Sequence, residues 1–167
     1  MHRIIILVLA FTVSAAFAAE TPAPDVSIRG SNPEALVRQA VRAFYDAFNA
    51  GGFDRAPEFT TEDWNHITPL GGRMRGRETT VARVKQAHRT FLKGVSETIE
   101  QMDVRFATPE VAVATVTSHA STFTTPDGVR RENPQEVRTF VVVRRDSRWL
   151  IMQDHATYVT ALPGEKP

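Results

Sequence analysis

The stretch Val137–Tyr158 reads VRTFVVVRRDSRWLIMQDHATY and contains two strand-like runs separated by the turn pair Asp146-Ser147. Both runs are rich in the β-branched and aromatic residues that favour strands, and a two-residue polar connection is typical of a hairpin. Because side chains alternate across a strand, the second run places five of them on one face: Trp149, Ile151, Gln153, His155 and Thr157. That face begins apolar and ends polar, so we expect its polar end to border a pocket.

Further strand-like runs precede this hairpin. The ranges 98–106 and 111–123 are separated by Thr108-Pro109, and a shorter run at 64–68 stops at Pro69. Turn residues at these spacings favour an antiparallel meander.

Two helical patterns come earlier in the chain. The segment Ser31-Asn32-Pro33-Glu34 supplies a polar cap, a proline and an early acid, which favour a helix start. Apolar residues then recur at helical spacing until Asn49–Gly52: Val37, Val41, Phe44 and Phe48. Residues 53–59 predict a short turn of helix, and residues 76–92 predict a second long helix with His88 on its apolar face. Helices first and long strands afterwards indicate an α+β domain with a sheet wrapped over helices.

The N-terminus has the pattern of an export signal. Met1–Arg3 is short and basic, residues 4–11 are apolar, and Ala16-Phe17-Ala18 is the small-x-small pattern of a cleavage site. We expect a signal peptide at residues 1–18, a flexible leader at 19–30, one domain at 31–160 and a tail at 161–167. The protein would then be exported, either periplasmic or secreted. The alternative is an uncleaved signal that stays as a membrane anchor.

Composition excludes several classes of function. The chain has no cysteine, which excludes disulfides, thiolate metal sites and a cysteine nucleophile. Removing Arg3 with the signal leaves 20 − 1 = 19 Lys plus Arg against 19 Asp plus Glu. Such balance argues against nucleic acid as a partner. We also expect no membrane contact once the signal is cleaved.

Several motifs resemble those of one family in their order and spacing. They are Ala47–Asp54 after the first helix, Asp63–Gly72 around the first strand, Arg75–Glu78 at the second long helix and Arg144–Ile151 at the last hairpin. The sequence resembles the NTF2-like (SnoaL-like) superfamily, in particular the DUF4440 branch of SgcJ/EcaC-type proteins. The resemblance implies a curved antiparallel sheet wrapped around two long helices and one short helix, enclosing a conical pocket.

The resemblance also limits the chemistry. In the ketosteroid isomerase branch a carboxylate stands just before the proline of the first strand, and the corresponding residue here is Thr68. A threonine hydroxyl is not a base near neutral pH, so that mechanism does not carry over as it stands. Tyr45 matches the tyrosine with which that branch stabilises an enolate.

Strand alternation combined with the resemblance predicts the residues of the pocket. If Thr68 faces inward, His66 and Trp64 face inward with it. The full predicted set is Tyr45, Trp64, His66, Thr68, His88, Gln153 and His155. His66 and His155 are the candidate catalytic bases, because imidazole exchanges a proton near neutral pH. Each histidine has a structural alternative, a hydrogen-bonded role inside the core.

Two hypotheses of function follow. In the first, the domain binds a small, largely apolar ligand without transforming it. In the second, it is a cofactor-independent isomerase, cyclase or hydrolase with a pocket histidine as general base. We expect no metal, because none of the histidines has the spacing of a metal motif. We expect no nucleotide cofactor, because no Gly-x-Gly-x-x-Gly follows a strand. We expect Phe140 and Val142 to lie on the sheet face without helices, and we predict a homodimer through that face.

Overall fold

The computed structural model describes residues 32–160. The predicted signal peptide, the leader and the C-terminal tail lie outside these residues. Within the described part the predicted elements are present, with boundaries that differ by a few residues.

The helical layer consists of three helices. Helix α1 spans Pro33–Asn49 and begins at Asn32, whose side chain accepts a hydrogen bond from the Glu34 amide at 3.0 Å. Helix α2 is a single turn, Ala56–Phe59, and α3 spans Arg77–Arg89. The cap and proline at the start of α1 therefore act as the sequence predicted.

The strands form one large sheet and one small hairpin. The large sheet consists of β1 Thr60–Ile67, β2 Arg73–Arg75, β3 Glu97–Thr108, β4 Val111–Ala120, β7 Gln135–Arg145 and β8 Arg148–Tyr158. The small hairpin consists of β5 Phe123–Thr124 and β6 Arg130–Arg131. In the large sheet the order is β2-β1-β8-β7-β4-β3. All neighbours are antiparallel except β1 and β8, which run parallel. The α+β class and the curved sheet over three helices are confirmed.

The predicted hairpin joins β7 to β8 through Asp146 and Ser147, whose φ angles are 49° and 64°. Two successive residues with positive φ make the tight turn that suits the twist of paired strands. Further along, Val142 pairs with Ile151 and Val141 pairs with Gln153, so that Met152 is left over. This extra residue is a β-bulge, and it reverses which side chains of β8 point inward.

The core lies between the sheet and α1. Phe140 and Val142 of β7 are fully buried, and the Phe140 ring lies 5.3 Å from that of Phe44 on α1. The prediction that Phe140 and Val142 lie on the uncovered face is therefore wrong. The even-numbered residues of β7 up to Val142 face the helices, and Val137, Thr139 and Val141 face away. Within residues 32–160, no helix is long and apolar enough to cross a membrane.

Candidate functional site

A cavity of about 410 Å³ opens between the concave face of the sheet, α1 and α3. Its walls are mostly apolar and include Phe44 and Phe48 of α1, Val84 and Ala87 of α3, and Phe123. Leu70 and Phe91 are exposed lining residues and mark its mouth. Ligand pockets in proteins commonly have this size and this mainly apolar lining.

The closed end of the cavity is charged. Glu97, Glu136 and Arg138 border it and are each at most 5% exposed. Arg138 donates from Nη1 to Asp154 Oδ2 at 2.7 Å and from Nη2 to Glu136 Oε2 at 3.1 Å. Its Nη2 lies 3.8 Å from Glu97 Oε1, and its guanidinium lies 5.0 Å from the centre of the Phe44 ring. Among residues 32–160, Arg138 is thus the one guanidinium close to three buried carboxylates, those of Asp154, Glu136 and Glu97. We call these four residues the Arg138 cluster.

The three carboxylates differ in how well they are compensated. Burial disfavours the charge on Asp154, but His66 and Arg138 outweigh burial and lower its pKa. Burial raises the pKa of Glu136 despite the opposing effect of Arg138. Burial raises the pKa of Glu97 to about 7. The guanidinium of Arg138, which is not hydrogen-bonded to Glu97, only partly offsets this effect of burial. A carboxyl group in an apolar site holds its proton when no cation is close.

His66 and Asp154 form a dyad at this end of the cavity. The Nδ1 atom of His66 lies 2.7 Å from Asp154 Oδ2, and His66 is 7% exposed and borders the cavity. Since the carboxylate holds Nδ1 as a donor, the Nε2 atom of a neutral imidazole is an acceptor. No hydrogen bond to Nε2 comes from any other described residue. The dyad therefore has the orientation of a general base.

Two of the predicted pocket residues border the cavity, His66 and Thr68. Trp64 and Tyr45 are buried behind it. Trp64 Nε1 donates to Asp154 Oδ1 at 2.8 Å, and the Tyr45 hydroxyl lies 3.5 Å from Ser118 Oγ. Burial raises the pKa of Tyr45 to about 12, so its hydroxyl stays protonated at neutral pH. Both residues support the site without reaching the void.

Gln153 and His155 do not face the cavity, which corrects their predicted placement. Gln153 accepts a hydrogen bond from Asn65 Nδ2 at 2.9 Å on the outer face, and His155 is exposed. The bulge at Met152 is the reason, because it moves Asp154, Ala156 and Tyr158 to the inner face. His155 therefore has no access to a ligand in this cavity.

His88 is buried between α1 and α3 but does not border the cavity. Its ring lies edge-on to Phe48, with centres 4.6 Å apart, and burial lowers its pKa. His88 is therefore a core residue, as its structural alternative predicted, but its Nε2 atom has no hydrogen-bond partner among the described residues.

Five residues of the site were missed from the sequence: Glu97, Glu136, Arg138, Asp154 and Tyr158. The sequence pattern contained a signal for two of these residues, Glu136 and Arg138. Glu136 and Arg138 are in phase with Phe140 and Val142, so locating those two apolar residues in the core would have placed both charges inside. Asp154 and Tyr158 are hidden by the bulge, and Glu97 depends on tertiary packing. Across residues 32–160, no group of three or more acidic or histidine side chains could hold a metal ion.

Comparisons with known proteins agree with this fold. A family model described as a SnoaL-like domain matches residues 37–161. A structure from Caulobacter vibrioides with a cystatin-like fold is similar, with a TM-score of 0.73 and 24% identity over 76% of this chain and 89% of that one. A search of curated proteins finds no match.

Two similar structures have names that suggest enzymes. A candidate dehydratase of the NTF2-like family from Streptomyces avermitilis has a TM-score of 0.64 and 19% identity, over 77% of this chain and 97% of that one. A candidate ketosteroid isomerase from Shewanella frigidimarina has a TM-score of 0.59 and 20% identity, over 73% of this chain and 94% of that one. At these identities the likeness shows the fold alone.

Proposed function

Because the chain belongs to the SnoaL-like domain family, we propose that it binds a small, largely apolar ligand in the cavity between the sheet and α3. The observation that carries this proposal is a cavity of about 410 Å³ with apolar walls and one charged end. The apolar walls would bind the body of the ligand by excluding water, and the Arg138 cluster with His66 would fix its orientation.

Native mass spectrometry of protein purified from its own source tests this proposal, because it detects a retained small molecule. Ala87→Trp fills the cavity from α3 and should abolish retention. Ala82→Trp is the matched control, because Ala82 is an exposed residue of the same helix that does not border this cavity. Equal ligand retention in both variants would contradict binding in the cavity.

A second function is favoured by the His66–Asp154 dyad. In this proposal the domain is a cofactor-independent enzyme of isomerase, cyclase or hydrolase type, and His66 removes a proton from the bound ligand through Nε2. Asp154 holds the imidazole in the required tautomer and stabilises the imidazolium that forms, as in other carboxylate-oriented histidine bases. The names of the two candidate enzymes above are compatible with proton transfer in this fold.

His66 and His155, the two candidate bases predicted from the sequence, provide a matched pair of variants. Product formation from the retained ligand should be lost in His66→Gln and kept in His155→Gln, because only His66 borders the cavity. A ligand that His66→Gln still binds and converts at the wild-type rate would exclude His66 as the base.

Export and a place in the DUF4440 branch remain part of the proposal. The pattern Ala16-Phe17-Ala18 supports cleavage after Ala18, and the order of the motifs supports the SgcJ/EcaC-type group. The intact mass of the mature protein tests cleavage directly. A mature chain that begins at Met1 would contradict it.

The last part of the proposed function is a homodimer that forms through the outer face of the sheet. Val113, Val137 and Val141 project from this face on adjacent strands β4 and β7, where they are half-buried. Pairing of two such faces would remove apolar area from water. Val141→Lys should give a monomeric mass by light scattering, whereas Val129→Lys in the exposed loop before β6 should not. A monomeric wild type would rule out the dimer.

A further inference from the structure

The Glu97 carboxylate lacks a full set of hydrogen bonds at the edge of the cavity. Its side chain is 4% exposed and borders the void, and its Oε2 atom has no hydrogen-bond partner among the described residues. Its backbone is fixed, because the Glu97 amide donates to Asn49 Oδ1 at 2.7 Å and its carbonyl accepts from Asn49 Nδ2 at 2.9 Å. Helix α1 therefore anchors this residue at the start of β3, where its side chain borders the cavity while the unpaired Oε2 atom is itself buried.

Arg138 compensates this carboxylate only in part. Its Nη1 is bonded to Asp154 and its Nη2 to Glu136, and the remaining approach to Glu97 Oε1 is 3.8 Å, too long for a hydrogen bond. The cluster holds three carboxylates and one permanent cation, and His66 adds a positive charge only when protonated. In the absence of a ligand, a proton on Glu97 reduces this imbalance, in agreement with its pKa of about 7.

We propose that the ligand carries an organic ammonium group, which binds the Glu97 carboxylate at the closed end of the cavity after the side chain rotates to expose Oε2. This inference rests on the proposed small-molecule binding and names the chemical class of the ligand. An ammonium group supplies the donors that Oε2 lacks and the positive charge that the cluster lacks. An anionic head group would instead approach three carboxylates, of which only two are bonded to a guanidinium.

The walls next to Glu97 suit the rest of such a ligand. Phe48 and Phe53 border the same cavity, as does Tyr158 from β8. Aromatic faces attract organic cations and also bind apolar carbon, so they accept both the charged end and the body of an amine. The Phe44 ring is already covered by Arg138 and the Tyr158 ring by Arg131, which leaves Phe48 and Phe53 for the ligand.

Three matched probes test the inference: 2-(1-naphthyl)ethylamine, 2-(1-naphthyl)ethanol and 3-(1-naphthyl)propanoate. They share one apolar body and differ in the charge of the head group. Naphthalene fluorescence or titration calorimetry measures their affinity for the mature protein. At pH 8 the amine should bind at least about tenfold more tightly than the alcohol, as expected for a charge-assisted hydrogen bond in a desolvated site. The propanoate should bind most weakly.

Glu97→Gln should remove the preference for the amine and leave the affinity for the alcohol unchanged. Unchanged alcohol binding also shows that the variant is folded. Glu100→Gln is the matched control on the same strand, because Glu100 is exposed and pairs with His119 on the outside of the sheet. This control should keep the full preference for the amine.

The amine affinity should also rise between pH 6 and pH 8, because Glu97 must lose its proton to pair with the ammonium group. The alcohol affinity should change much less over this range. The charged and titratable groups facing Glu97 are Arg138 and Glu136 of β7, Asp154 and Tyr158 of β8, Tyr45 of α1 and His66 of β1. Glu97→Gln should lose the pH dependence of amine binding, because glutamine has no proton to lose in this range.

The outcomes separate the two proposals. Tight alcohol binding with no preference for the amine would overturn the ammonium inference and leave the proposed binding function standing. A preference for the amine that persists in Glu97→Gln would overturn the role of Glu97. If Ala87→Trp binds all three probes as the wild type does, the cavity is not the binding site, and both proposals fail.

Discussion

The two faces of the large sheet come from the same strands but have opposite chemistry. On the inner face, β1, β7 and β8 bring His66, Arg138 and Asp154 into hydrogen-bonding distance beside a void. On the outer face the same strands present Val137, Thr139 and His155, and no helix covers them within the described residues. His66 pairs in register with Asp154, and the neighbouring residue Ile67 pairs with His155. The partner of the candidate base His66 and the exposed His155 are therefore adjacent residues of β8, on opposite faces of the sheet.

The largest effect should come from the only guanidinium of the inner cluster. Arg138→Leu leaves three buried carboxylates without their cation and should lower the free energy of unfolding by about 3–5 kcal/mol. Arg144→Leu on the same strand removes only a surface pair with Glu110 and should cost about 0–1 kcal/mol. Urea denaturation of both variants at pH 7 measures the difference. Similar losses would mean that Arg138 contributes no more to stability than a surface arginine of the same strand.

Glu97 should make the stability of the protein sensitive to pH between about 4.5 and 7. Its pKa rises from 4.5 to about 7 on folding, so the folded state keeps a proton that the unfolded state releases. Stability is therefore lost as the pH rises from about 4.5 through 7. Glu97→Gln removes this loss, and its stability relative to the wild type should increase by on the order of 3 kcal/mol between pH 4.5 and pH 8.

Denaturation curves at the two pH values test this prediction for Glu97→Gln, with Glu100→Gln as the exposed control. A pH-independent difference between Glu97→Gln and the wild type would show that Glu97 titrates normally.

Asp154 should act in the opposite direction, in acid. Its pKa is lowered in the folded protein, so its contribution is complete above the ordinary value of 3.8 and is lost as the pH falls through the folded value. Asp154→Asn should lower the free energy of unfolding at pH 7 by about 1–3 kcal/mol, because Arg138 and His66 lose their charged partner. The variant should also unfold less steeply with acid than the wild type, which circular dichroism can follow. Parallel acid unfolding curves would exclude this role of Asp154.

The smallest effect should come from the outer histidine. His155→Gln changes an exposed side chain and should alter the free energy of unfolding by less than about 0.5 kcal/mol. Ligand binding should also be unchanged. Thermal unfolding and the naphthyl probes check both quantities. A loss of binding in this variant would indicate that the outer face takes part in the site.

Much of the fold was predictable because local patterns and the tertiary structure agree. The polar cap and apolar spacing of 33–49 predicted α1, and Asp146-Ser147 predicted the β7–β8 hairpin. The parallel pairing of β1 with β8 was not anticipated, because nothing within either strand specifies a partner distant in sequence. The site was predictable only where alternation is regular, as in the second half of β1, where Trp64 and His66 point inward as predicted.

The sequence by itself determined the element order, the family resemblance and the inward direction of β1, since these depend on spacing between near neighbours along the chain. Only the tertiary structure decided that Asp154 rather than His155 faces the cavity, because a single extra residue at Met152 shifts the alternation without leaving a local signal. The tertiary structure also decided that Glu97, Glu136 and Arg138 lie close together. Buried charges on separate strands are stable only as partners, and partnership across a sheet depends on register rather than on any one segment.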